Sequence, residues 1–199
     1  MRRQTFKDIL PEARQEIEEA LSEKNLIIHL FEDATYFLEK AQKYERTNVL
    51  ISRRYIRVAV ISAFAGLEAL VNTLCEIAAD HPPPQEWGLP EQALVGESRV
   101  ELSKEGYFRI RGKRIYSLED KLKFFHWCLY GVPISDDKMV WTAFLQAKTF
   151  RNKIVHPSQR KISYSGQTIK AASVCVVAVL RVAQKLGWSD QANHKTPTK

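Results

Sequence analysis

The sequence predicts an all-α protein, an antiparallel up-and-down bundle of about five helices with a small inserted β-hairpin. Three observations predict this fold. Apolar residues recur every three or four positions over long stretches with few glycines or prolines. One of these stretches is almost wholly apolar and rich in small residues, as in a helix that others surround. A short segment instead alternates polar and apolar residues around a glycine, which is typical of paired strands.

The first two helices are predicted before residue 80. The first begins at Leu10 and Pro11 and extends to about Arg46, with a second start allowed near Ser22–Asn25. The second runs from about Asn48 to Ala79. Its small residues would let neighbouring helices approach closely, so we expect it to be buried on most sides. These small residues are Ala59, Ser62, Ala63, Ala65, Gly66 and Ala69.

An insertion is expected over residues 82–116. Prolines make His81–Pro90 a loop, and the following residues are predicted to form a β-hairpin whose turn is supplied by the glycine of "RGK", Arg111–Lys113. The insertion interrupts a single helical domain that spans residues 1–187. The polar residues 188–199 are predicted to be a flexible tail.

The remaining helices have clear starts and stops. Ser117 is predicted to cap a helix that ends at Tyr130, before a glycine. Ser135–Asp137 open the next helix, which extends to Val155. The last helix covers Gln167–Gly187.

Composition narrows the functional class. The net charge is +7 and the sequence pI about 9.3, which permits binding to nucleic acid without requiring it. The most apolar stretch, Val58–Leu74, is interrupted by polar residues, and no unbroken apolar run reaches the roughly 18 residues of a membrane span. The N-terminus lacks the apolar region of a secretory signal, so we expect a cytoplasmic protein that does not enter the membrane.

The three cysteines have no metal-site spacing and are predicted to be reduced core residues, and we expect neither metal nor cofactor.

The stretch "FRNKIVHP" at residues 150–157 carries the strongest chemical signal. Asn152 and His156 lie about 40° apart in helical projection, whereas Arg151 is about 140° from His156. His156 precedes a proline, which disfavours the α conformation and places the histidine at or beyond the helix end. The spacing therefore allows all three side chains to converge.

These residue types suit metal-free cleavage of RNA. A guanidinium can grip a phosphate and stabilise developing negative charge. An imidazole can move a proton near neutral pH, so that a 2′-OH attacks the adjacent phosphorus, and the asparagine can orient either partner. One histidine per chain is few for both acid and base, but a two-fold dimer would supply two. The competing interpretation is that basic residues here simply offset the helix dipole.

The motif resembles the R-x4-6-H signature of the HEPN superfamily, with a polar residue directly after the arginine. The preceding "AVISAFAGLEALVNTL" is similar to the small-residue central helix of that family. The resemblance implies a helical bundle that is commonly dimeric and, in many members, a metal-independent RNase in toxin–antitoxin, antiviral or RNA-processing systems. It assigns catalysis to Arg151 and His156, and less directly to Asn152. The insertion departs from the family pattern.

Other polar residues were assigned supporting roles. Glu68 and Asn72 lie one turn apart in the apolar second helix and are expected to hold Arg151 or His156, with Arg151 the favoured partner, or else to bond neighbouring helices. Lys148 could bind phosphate or simply be solvated. The hairpin cations interleave with aromatics, so they could contact single-stranded RNA or form an ordinary charged face. These cations are Arg109, Arg111, Lys113 and Arg114.

Two alternatives stay open beside the ribonuclease. The same fold could bind RNA or a nucleotide without cleaving it. It could also be a helical interaction protein, with an antitoxin or a nucleotidyltransferase-like protein as its partner.

Overall fold

The computed structural model describes residue 16 and residues 26–80, 87–155 and 167–188. This part of the chain is mostly helical and carries one small antiparallel sheet, which confirms the predicted fold class. Its elements, in chain order, are α1 (Leu26–Tyr44), α2 (Val49–Asp80), α3 (Leu89–Val95), β1 (Ser98–Leu102), β2 (Phe108–Lys113), α4 (Leu118–Tyr130), a 3₁₀ turn (Ile134–Asp136), α5 (Lys138–Val155) and α6 (Gln167–Lys185).

Helix α2 is the centre of the bundle, as its small residues predict. It packs against α1, α4, α5 and α6 and provides the largest share of the buried core. Asn48 caps it, because the Asn48 side-chain oxygen accepts the Ile51 N–H at 3.1 Å. By length and composition alone α2 could cross a membrane, but 61% of its most apolar window is buried in the bundle. That degree of burial is typical of a core helix.

The close approach of α1 to α2 depends on Gly66. A Cβ added at this glycine would lie 2.8 Å from the Phe31 ring, which is almost completely buried. The ring also packs against Trp188, with 4.8 Å between the ring centroids. Trp188, the first residue of the predicted tail, is therefore part of the core, and the tail prediction was wrong at that residue.

The predicted helix ends around α4 and α5 are largely confirmed. The Ser117 hydroxyl accepts the Asp120 N–H, and Gly131 ends α4 in the left-handed conformation, with a φ of 75°. The start of α5 differs from the predicted start at Ser135–Asp137, because residues 134–136 form a 3₁₀ turn before the helix. Asp137 then caps α5 by accepting the Val140 N–H at 3.1 Å.

The insertion contains a helix that the sequence reading missed. Residues 89–90 were assigned to a loop because of their proline, but Leu89–Val95 is helical with that proline in the first turn. Proline is tolerated there since the first N–H groups have no partner within the helix. The part of the predicted loop at 81–86 lies outside the described residues, as does the predicted first helix before residue 26 except for Glu16.

The hairpin is confirmed, but its turn was placed at the wrong glycine. The strands are joined through residues 103–107, where Gly106 has a φ of 85°. Gly112 instead lies inside β2, where the pairing skips from Lys113–Ser98 to Arg111–Arg99. This skip is a β-bulge, and the positive φ of 69° at Gly112 explains why a glycine is needed.

Candidate functional site

Arg151 lies just before the last turn of α5, which ends at Val155. Helix α5 packs against both α2 and α6, and Ile154 in its last turn is buried. The Arg151 side chain is 31% exposed. It therefore reaches the surface while its inner part is shielded from water.

The Arg151 guanidinium has few partners. Its Nη2 is 3.9 Å from Oε1 of Glu68, which is at the outer limit of an ion pair. Its carbon Cζ lies 5.9 Å from the centre of the Phe64 ring. Its buried Nε has no hydrogen-bond partner in the described part of the chain. The buried Nε is closed to an incoming anion, so Nη1 and Nη2, which are held only by long contacts to Asn152 and Glu68, are the donors that an anion could engage.

Asn152 is adjacent and exposed, and its side-chain oxygen accepts a hydrogen bond from Nη1 of Arg151 at 3.3 Å. This contact agrees with a positioning role for the asparagine. His156, the third residue of the predicted site, lies outside the described residues, although it follows Val155 directly in the chain.

The structure separates the two residues that were predicted to support the site. Glu68 faces Arg151, the partner that the sequence favoured. Asn72, one turn further along α2, instead accepts a hydrogen bond from Nζ of Lys121 on α4 at 3.3 Å. The two side chains therefore serve different neighbours.

Lys148 is engaged rather than free. It forms an ion pair with Glu119 of α4, and both side chains are partly exposed. This contact ties α5 to α4 near the Arg151 end of the helix. Its charge is partly neutralised, which weakens its expected role in binding phosphate.

Two of the hairpin cations line different clefts. Lys113 lines a cleft beside α2, whereas Arg114 lines a different cleft with Tyr116 and Trp127 and stacks on the Tyr116 ring at 4.9 Å. Arg109 lies opposite Glu101 in the sheet, and Arg111 is exposed opposite Arg99.

Sequence reasoning missed Lys121. Its side chain is only 7% exposed and its ammonium is bound by Glu97 and Asn72. The sequence pattern could have indicated a buried lysine, because Lys121 shares the apolar face of α4 with Leu122 and Phe125. A lysine at such a position must find a partner inside the fold.

Metal-binding and thiol chemistry have little support in the described regions. They contain no group of three or more histidine, cysteine or acidic side chains arranged to hold a metal ion. All three cysteines are free and buried, as predicted. Burial raises the pKa of Cys75 to about 11 and that of Cys128 and Cys175 to about 12, which leaves them poor nucleophiles at neutral pH.

Comparison with known proteins adds no family to this description. No protein-family model, curated protein or solved structure matches the chain.

Proposed function

We propose that this protein is a metal-independent endoribonuclease of the HEPN type, and that it cleaves RNA through attack of a 2′-OH on the adjacent phosphorus. In this mechanism Arg151 binds the scissile phosphate, His156 transfers the proton, and Asn152 orients the arginine. A cytoplasmic toxin–antitoxin or antiviral defence system is the setting that the resemblance favours.

The observation that carries the proposal is the environment of Arg151. Its guanidinium is partly shielded from water, makes only long contacts to Glu68 and Asn152, and belongs to a residue five positions before the histidine in the sequence. Charge stabilisation is stronger where water is excluded, so an arginine held this way can stabilise charge that develops on a phosphate.

The proton transfers need a base and an acid. The 2′-OH must lose a proton as its oxygen bonds to phosphorus, and the 5′-oxygen must gain one as its bond to phosphorus breaks. Two histidines from a two-fold dimer would provide both groups in one shared cleft. The products are then a 2′,3′-cyclic phosphate and a free 5′-OH, and no water or metal ion enters the first step.

A homodimer is consistent with the surface beside the site. Val174 and Val177 on α6 are 54% and 45% exposed, and Leu145 on α5 is also exposed. A shallow groove of about 380 Å³ separates α5 and α6 here and is lined largely by apolar side chains. Exposed apolar surface of this kind is typical of protein contacts. Light scattering on the purified chain would test the dimer.

Cleavage of a labelled single-stranded RNA tests the function. We expect products ending in 2′,3′-cyclic phosphate, activity that persists in EDTA, and its loss in His156→Ala with the helical circular dichroism unchanged. Undiminished cleavage by a clean His156→Ala preparation would contradict the mechanism. Loss of activity in EDTA would instead indicate a metal enzyme.

One observation favours a second function, RNA or nucleotide binding without cleavage. The carboxylate of Glu68 lies 3.9 Å from Nη2 of Arg151 and partly offsets its charge, which lowers the capacity of this arginine to stabilise the negative charge that develops during cleavage. Retention of RNA with no product on a gel would identify this binding module. Absence of RNA affinity, together with co-purification of an antitoxin or nucleotidyltransferase-like protein, would identify an interaction protein.

A further inference from the structure

A polar cleft lies beside α2, one to two turns along the helix from Glu68. It has a volume of about 450 Å³ and is lined by α2, by α4 and by the inserted segment between α3 and β2. Asn72, Glu76, Glu97, Lys113 and Lys121 all line it. The volume is within the range of small-ligand sites, which is about 300–1,000 Å³.

The floor of the cleft is a buried lysine held by two polar side chains. Nζ of Lys121 donates to Oε1 of Glu97 at 2.5 Å and to Oδ1 of Asn72 at 3.3 Å. An ammonium has three N–H donors, so one remains for a ligand. The cost of desolvating the lysine opposes the gain from its pairing with the half-exposed carboxylate, so this pair is expected to add little net stability.

Glu97 reaches this lysine from an uncommon backbone conformation. Its φ is 46°, in the left-handed region that glycine adopts most easily. Two hydrogen bonds hold it there: its N–H donates to the Leu94 carbonyl at 3.3 Å, and its carbonyl accepts the Arg114 N–H at 2.8 Å. The inserted segment therefore fixes the Glu97 carboxylate in place at the cleft.

Two further side chains of opposite charge line the cleft without pairing. Glu76 and Lys113 are both exposed, and neither side chain forms an ion pair or hydrogen bond with any described residue. A ligand with hydrogen-bond donors on one edge and acceptors on another could satisfy both. Guanine has this arrangement, because its O6 and N7 accept from an ammonium while its N–H groups donate to a carboxylate. Uracil lacks the amino group, and adenine and cytosine lack the paired O6 and N7 acceptors.

We propose that this cleft is a guanine-recognising subsite for the nucleotide next to the linkage bound by Arg151. Glu76 accepts from the N–H groups of the base, Lys113 donates to O6 and N7, and Lys121 with Asn72 forms the floor. Glu68, Asn72 and Glu76 occupy successive turns of α2, so the cleft begins about 6 Å along the helix axis from the Arg151 contact. An unpaired base could therefore enter it while the adjoining phosphate binds Arg151. This assignment to RNA rests on the proposed function, whereas base recognition by the cleft does not.

Mononucleotide binding tests the subsite separately from cleavage. We expect 5′-GMP to bind more tightly than 5′-AMP, 5′-CMP and 5′-UMP in calorimetry, and Glu76→Gln and Lys113→Ala each to weaken it about tenfold. Asp80→Asn is the matched control, since it removes the same charge one turn further along α2 and should leave the affinity unchanged. Both test residues are exposed, so the variants should fold, as thermal unfolding will verify. Equal affinities for the four nucleotides would overturn the assignment. Binding of free zwitterionic amino acids as tightly as GMP would overturn it too.

The source of the base is tested with a short RNA that contains one guanosine. Tighter binding of this RNA than of GMP, reduced by Arg151→Ala, is the expected result and joins the cleft to the site on α5. If GMP binds as tightly as the RNA and Arg151→Ala has no effect, the assignment to RNA fails. If GMP binds but no RNA is cleaved, the ribonuclease fails while base recognition stands.

Discussion

The guanidinium of Arg151 and the carboxylate of Glu68 face each other across α5 and α2, with 3.9 Å between Nη2 and Oε1. The pair lies at the surface and its geometry is loose, so its contribution to stability is expected to be about 0–1 kcal/mol. A loosely held arginine can bind a phosphate oxygen beside this carboxylate without disturbing the fold. This relationship leads to the first two predictions.

Arg151→Lys should lower RNA cleavage by about 100-fold or more, and Arg151→Ala further, because lysine keeps the charge but not the fork of donors. Thermal unfolding of both variants should change little. Steady-state cleavage and circular dichroism provide the measurements. Lys153→Ala, which removes an exposed cation from the same turn of α5, is the control and should retain most of the activity. Equal activity of Arg151→Lys and the unmodified protein would show that charge alone suffices.

Glu68→Gln should strengthen RNA binding, by about fivefold or less, because it removes a negative charge next to the phosphate site. We expect kcat to fall in the same variant, since Arg151 loses the partner that holds its orientation. Glu39→Gln removes an exposed carboxylate from α1 and controls for the change in net charge. A simultaneous rise in affinity and kcat would exclude a positioning role for Glu68.

Gly66→Ala should destabilise the bundle. Overpacking against the buried Phe31 ring costs about 1–3 kcal/mol, while alanine gains about 1 kcal/mol of helix propensity, so a net loss of up to about 2 kcal/mol is expected. Urea unfolding measures the change. Phe31→Leu creates space for the new methyl group. The double variant should therefore lose less unfolding free energy than the sum of the losses in the two single variants. Simple additivity of the two losses would show that the close approach is not what requires glycine.

Asp137→Asn should destabilise the protein at neutral pH but not in acid. The Val140 N–H, and then Lys185, holds the pKa of Asp137 below its ordinary value of 3.8. A carboxyl with a lowered pKa contributes stability above its unfolded-state pKa, and that contribution is lost as the pH falls through the folded-state pKa. Melting temperatures of the two proteins should therefore differ at pH 7 and converge at strongly acidic pH. A constant difference over the whole range would rule out this linkage.

The cysteines should not react with a thiol reagent in the native protein at pH 8. Their raised pKa values leave very little thiolate, and all three are buried. In guanidinium chloride all three should react rapidly, which absorbance of the released chromophore will report. A fast native reaction at one position would reveal local opening of the helix that carries it.

The elements were predictable wherever local chemistry decides them. The polar cap at Asn48 and the apolar periodicity define α2, and Ser117 and Gly131 define α4, because a cap or a stop acts within one turn of the chain. The position of the hairpin turn was not predictable from the sequence, since both Gly106 and Gly112 allow a positive φ. Which glycine becomes the turn and which becomes the bulge depends on the register of the strands, a property of the paired sheet.

The sequence by itself determined an all-α bundle around a small-residue helix, a hairpin insertion, and an arginine close to a histidine at the end of α5. These follow from periodicity, caps and spacing, which are local. Only the tertiary structure decided that Glu68 faces Arg151 while Asn72 turns to Lys121, and that Lys113 and Glu76 share a cleft. The physical reason is that such contacts join residues far apart in the chain. They depend on how α4, α5 and the insertion dock on α2, and no local pattern encodes that docking.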